Sequence, residues 1–122
     1  MKLIYVASPY AGDIETNTQF AKKACRFVMN EGYAFFAPHL LYPQVLDEDN
    51  PDERQLGLNM GKEILGWCDE LWVFGDTVSP GMQAEINLAQ EFEIPVNYIT
   101  TQEIAERERP FAERHPFCSM RL

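Results

Sequence analysis

Apolar positions along the chain fall alternately into short unbroken runs and into longer stretches that recur every three to four residues. The first run, Leu3–Ala7, ends at Ser8-Pro9 and reads as a buried strand. Residues 17–31 carry Phe20, Ala24, Phe27 and Val28 at helical spacing and stop at Gly32. Residues 33–37 are rich in aromatics and strand-like, ending at Pro38-His39. Residues 40–53 read as a long connection containing Asp47-Glu48-Asp49-Asn50-Pro51-Asp52. A solvated acidic loop is the simplest account of it, and its length suits a lid. A helix follows over about residues 54–67, then a strand at Glu70–Phe74, a helix over 80–92 and a strand over 95–99. Thr101 is placed to cap a short last helix through Arg107, and residues 110–122 show no period. Strands alternating with helices at this spacing predict a small doubly wound, Rossmann- or flavodoxin-like α/β fold. Its parallel sheet has about four to five strands with helices on both faces. One domain over residues 1–109 and a tail over 110–122 complete the expected layout.

One position breaks the pattern. In the helix over 80–92, Ser79 supplies a cap and Pro80 the first helical residue. At roughly 100° per residue, Gly81, Met82, Ala84, Ile86, Leu88, Ala89 and Phe92 fill one arc, and Gln83, Asn87, Gln90 and Glu91 the other. Glu85 points into the apolar arc. An ionised carboxylate buried there costs several kcal/mol unless paired, for instance with a neighbouring Tyr or Arg. Such a group is a candidate for chemistry.

Composition narrows the partners. Ten basic against nineteen acidic side chains in 122 residues give a net charge of −9, which argues against a nucleic-acid or anionic-membrane partner. A small phosphorylated ligand remains compatible, because backbone amides can hold it. No apolar run approaches the roughly 18 residues of a membrane span. The start of the chain, Lys2 and then Leu3–Ala7, is too short for a secretory signal. Cys25, Cys68 and Cys118 are odd in number and lack metal-ligand spacing, so they read as reduced thiols of a cytoplasmic protein. Neither a metal site nor a cofactor is expected.

In doubly wound sheets ligands bind outside the carboxyl ends of the strands. The loops leaving those ends bring Ser8, Tyr10, Gly12, His39, Ser79, Gly81 and Glu85 to one edge. Each has a structural explanation as well: Ser79 as an ordinary cap, Gly12 and Gly81 as turn glycines, His39 as a satisfied histidine, Asp69 as a capping side chain at a helix-to-strand junction. A helix start such as Ser79 with its free amides also suits a phosphate or carboxylate.

The segment Tyr5-Val6-Ala7-Ser8-Pro9-Tyr10-Ala11-Gly12, with Ser79-Pro80-Gly81-Met82-Gln83-Ala84-Glu85 and then Ala89, resembles the nucleoside 2-deoxyribosyltransferase superfamily over residues 2 to about 99. That superfamily includes 2′-deoxynucleoside 5′-phosphate N-hydrolases. The resemblance implies a nucleoside or nucleotide ligand and a nucleophilic role for Glu85, attacking the anomeric carbon to form a glycosyl-enzyme ester that water or a second base resolves. It also implies a 5′-phosphate on the serines matching Ser8 and Ser79, with Met82 in the same ligand-binding turn. On that basis a monophosphate should outperform its nucleoside. Hydrogen bonding from Tyr5 or Tyr10 would keep Glu85 ionised. A non-catalytic module binding a nucleotide or an ADP-ribose-like signal is the alternative on the same fold. Two features depart from the superfamily pattern. The Asp about 25 residues before the nucleophile, which assists the leaving base, falls here on Met60 or Gly61, leaving Asp69, Glu63, Asp76 or His39 as substitutes. An Arg of the phosphate loop is replaced by Tyr10. Relatives are oligomers, and exposed Trp67, Phe111 and Phe117 suggest a homodimer or higher oligomer built partly by the tail.

Overall fold

The computed structural model describes residues 1–108; the expectations for the tail, including Phe111, Phe117 and Cys118, lie outside the described residues. The described chain runs β1 (Leu3–Ala7), α1 (Ile14–Asn30), β2 (Ala34–Phe36), α2 (Pro38–Leu41), a 3-10 turn at Tyr42–Gln44, α3 (Pro51–Leu65), β3 (Glu70–Phe74), α4 (Pro80–Glu91), β4 (Val96–Ile99) and α5 (Thr101–Glu106). The four strands form one parallel sheet in the order β2-β1-β3-β4. The connections from β1 to β2 and from β2 to β3 move in opposite directions across the sheet. The switch point therefore lies between the adjacent strands β1 and β3, where open α/β sheets place their ligands.

Both faces of the sheet are buried, which is why β1 and β3 read as unbroken apolar runs rather than alternating ones. Ile4, Val6, Trp72 and Phe74 pack with Ala24, Phe27 and Val28 of α1 and Ile104 of α5. Tyr5, Ala7, Leu71 and Val73 point the other way, onto Leu65 of α3 and Met82, Ile86 and Ala89 of α4. Tyr5 is the residue of that second layer that brings a polar group into it.

Several boundaries differ from the expected ones. Helix α1 begins three residues earlier, at Ile14, because the Asp13 side chain accepts from the amide of Thr16 at 3.1 Å and starts the helix there. Pro38-His39 does not close a strand but opens α2, Pro38 taking the first helical position that suits its fixed φ. The acidic connection is shorter than expected, since Asn50 caps α3 through the amides of Asp52 and Glu53 and the helix starts at Pro51. Thr100 rather than Thr101 caps α5, in a capping box with Glu103. Cys25 and Cys68 are free and buried. Among the described residues no helix is long and apolar enough to cross a membrane.

Candidate functional site

Helix α4 starts where it does because Ser79 is extended and its hydroxyl accepts from the amide of Met82 at 3.2 Å, with Pro80 next in line. The stripe it turns toward the sheet is Met82, Ile86 and Ala89, all buried. Gly81, Ala84 and Phe92 are exposed, so this stripe is narrower than the sequence arc. Glu85 borders the stripe and is half-buried. Its Oε2 accepts a hydrogen bond of 2.5 Å from the hydroxyl of Tyr5, which reaches up from β1. On the far side of that hydroxyl stands Gly61 of α3, buried and without a side chain. A Cβ there would lie 3.4 Å from the Tyr5 oxygen.

Electrostatics follow from this packing. Burial pushes the Glu85 carboxyl up to about 7, against the Tyr5 hydrogen bond, which favours the carboxylate. Burial and the adjacent Glu85 charge drive the Tyr5 phenol far above its ordinary range, so it stays a proton-bearing donor. Phe36 walls this pair from β2, its ring 5.6 Å from Tyr5 and 5.9 Å from Tyr42. Burial thus favours the protonated acid well above the ordinary carboxylate range, and the Tyr5 hydrogen bond opposes it.

The loops leaving β1 and β2 lie at the same carboxyl edge of the sheet. Ser8 ends β1 and is 2 % exposed. Tyr10 stacks on His39, with ring centroids 4.9 Å apart and planes 21° from parallel. Burial lowers the pKa of His39, while its hydrogen bond to the Ser8 backbone works the other way. The imidazole is therefore mainly neutral, and one ring N–H is already engaged. The Asn17 side-chain amide donates to the carbonyls of Tyr10 and Ala11 at 3.0 and 3.1 Å, tying the loop to α1. Gly12 makes the turn at φ +97° with open space where a Cβ would stand. At Gly81 a Cβ would stand 4.0 Å from the Ser79 hydroxyl oxygen, an ordinary contact.

The fold thus gathers Ser8, Tyr10, Gly12, His39, Ser79, Gly81 and Glu85 on one side of the sheet. Met82 offers that side only its capped amide; its side chain belongs to the core. Asp69 is not part of this group, which corrects its expected place in catalysis. Its Oδ2 accepts from the amide of Leu3 at 2.7 Å, at the start of β1 and hence at the amino edge of the sheet. Asp76 accepts from the Thr101 amide at 3.1 Å and holds the start of α5. Sequence reasoning left open whether Tyr5 or Tyr10 would bond Glu85 and gave no sign of Gly61 as a packing partner. A tyrosine amid Leu3, Ile4, Val6 and Ala7 was the available signal, since a buried phenol needs a partner. Among the described residues no group of three His, Cys, Asp or Glu side chains is arranged to hold a metal ion.

The chain belongs to a family described as a domain of unknown function, DUF7768, whose profile matches residues 2–99. No curated protein matches it by sequence. Among solved structures, it is similar to a 2-deoxyribosyltransferase from the psychrotolerant bacterium Bacillus psychrosaccharolyticus. That match has a TM-score of 0.62 and 16 % identity, covering 96 % of this chain and 93 % of that one. A 2-desoxiribosyltransferase from Leishmania mexicana is similar with a TM-score of 0.61 and 14 % identity, over 95 % of this chain and 72 % of that one. Likeness at this identity establishes a shared α/β fold.

Proposed function

We propose that the protein cleaves or exchanges the N-glycosidic bond of a 2′-deoxynucleoside or its 5′-monophosphate, with Glu85 as the nucleophile. The observation that carries this reading is the carboxylate of Glu85, half-buried at the ligand edge of the sheet and hydrogen-bonded by a buried phenol that cannot itself ionise. Tyr5 occupies Oε2, which leaves Oε1 to attack the anomeric carbon. The C–N bond to the base breaks and its electron pair leaves on the base nitrogen, which takes up a proton. The ester so formed is then opened at the same carbon by water, or by the nitrogen of a second base, restoring the carboxylate. The Tyr5 hydrogen bond favours the ionised form of Glu85 against its burial and fixes its orientation. Of the four groups considered as helpers of the leaving base, Asp69 serves a backbone amide at the amino edge, Asp76 is engaged by the Thr101 amide, and Glu63 is on the exposed face of α3. His39, stacked on Tyr10 at the edge itself, could serve the base only after taking up a second proton, because its one ring N–H is engaged by the Ser8 backbone.

A non-catalytic nucleotide-binding module is the second reading. It is favoured by Met60 or Gly61 standing where the resemblance expects an Asp, and by a carboxyl held near neutrality. The readings separate on one experiment. The protein is incubated with the four 2′-deoxynucleosides and their 5′-monophosphates, free base is followed by chromatography, and binding is measured by calorimetry. Base release that disappears in Glu85→Gln supports the enzyme. Binding without release from any of the eight compounds supports the module.

A further inference from the structure

We propose that this site takes the uncharged nucleoside and discriminates against its 5′-phosphate, with the carboxylates around the mouth as the selecting device. The inference rests on the nucleoside reading above and decides between its two substrate forms. It turns the expectation of a phosphate on Ser8 and Ser79 around.

Both helix starts that a phosphate would use are already occupied by the protein's own groups. At α1 the occupant is itself an anion: the Asp13 carboxylate accepts from the Thr16 amide at 3.1 Å and from the Thr16 hydroxyl at 2.8 Å. A phosphate there would have to displace a like charge from its hydrogen bonds. At α4 the Ser79 hydroxyl caps the amide of Met82. Ser8 is 2 % exposed and offers little surface to a bulky dianion. The loop position between them is the neutral Tyr10. Its phenol is raised by burial and further by the charge of Glu48 from the acidic connection, which places a carboxylate within electrostatic reach of the mouth.

Among the described residues most counter-charge is elsewhere. Lys2 pairs with Glu70 at 2.8 Å, and Lys62 lies in the last turn of α3, toward the amino edge. Lys23, Arg26 and Arg107 line a cleft of about 300 Å³ that runs along α1 and α5. In the first turns of the helices that leave the ligand edge, Arg54 is the sole Lys or Arg among the described residues, and Asp52 and Glu53 precede it. A phosphate at this edge would meet Asp13, Glu48 and Glu85 with little among the described residues to neutralise it, inside the field of a chain of net charge −9. A 5′-hydroxyl carries no such penalty and can still hydrogen-bond to the loop.

The test compares one deoxynucleoside with its own 5′-monophosphate, using the full chain, for base release and for binding by calorimetry, at low and at high salt. The expected result is a kcat/KM, or an affinity, at least tenfold higher for the nucleoside. Salt should raise the value for the monophosphate and leave the nucleoside unchanged, because screening relieves repulsion. Glu48→Gln should raise the ratio of monophosphate to nucleoside by about two- to threefold, the scale of one exposed charge. A monophosphate equal to or better than its nucleoside, or weakened by salt, overturns the inference while leaving glycosidic cleavage in place. Selective binding of the nucleoside with no base released sinks catalysis and leaves the inference standing. Binding of neither compound overturns it.

Discussion

Glu85 holds its place at a cost, and the sign of that cost can be worked out. Its carboxyl titrates at about 7 in the folded protein against an ordinary 4.5, so the fold favours the protonated form. Between those values the folded state binds more protons than the unfolded one, and stability therefore falls as pH rises through this window. The loss is at most about 3 kcal/mol at pH 8. Glu85→Gln keeps the volume and removes the charge, so its melting temperature should exceed that of the unmodified protein at pH 8 and approach it at pH 5. Base release should run the other way. It should rise with pH as the nucleophile ionises, with a midpoint near 7, and fall by several orders of magnitude in Glu85→Gln, against a ceiling of about 10⁶ for comparable knockouts. Unchanged turnover in that variant would refute the assignment. Tyr5→Phe removes the hydrogen bond that favours the carboxylate, so its rate midpoint should move to higher pH; a midpoint that stays in place would show that the 2.5 Å contact does not tune the site.

At the scale of elements, two polar anchors can be told apart by what their loss affects. Ser79→Ala should cost about 1 kcal/mol, since the Met82 amide loses its cap, and the same change opens the ligand edge. Asp69→Ala should also lower the melting temperature, through the lost bond to the Leu3 amide, yet leave kcat untouched because it acts at the opposite edge of the sheet. A fall in kcat without a change in KM in Asp69→Ala would return that residue to the site. The position of Asp69 was legible in the sequence: it precedes β3, and residues that precede a parallel strand lie at its amino end. Strands β1 and β3, and the Ser79 cap of α4, were legible for a similar reason, since each is written in neighbouring residues. Helix α1 starts before its apolar period begins, at a signal that is polar rather than apolar: an Asp three residues before Thr16 is itself a cap. The Tyr5 contact could not be fixed locally. It joins residues 80 apart, and only the packing of α4 against the sheet selects Tyr5 rather than Tyr10.

At the scale of the molecule, the alternation of runs and helices was enough to fix a parallel sheet with both faces covered, because such a sheet has few other solutions. What lies beyond one chain is written in its exposed apolar side chains. Helix α3 is anchored through buried Gly61 and Leu65, while Leu56, Leu58 and, just past its end, Trp67 remain 50 %, 54 % and 68 % exposed. Leu56 and Leu58, two residues apart, face different sides of α3, so it is Trp67, the most exposed of the three, that marks the surface an interface would cover. We therefore expect a homodimer or higher oligomer, so that light scattering at micromolar concentration gives a multiple of 14.1 kDa. Trp67→Glu should reduce that mass while shifting the unfolding free energy of the monomer by no more than about 0.5 kcal/mol, because an exposed side chain contributes little to its own fold. A monodisperse monomer for the unmodified chain would refute the expectation. An oligomer that survives Trp67→Glu would move the interface away from the end of α3.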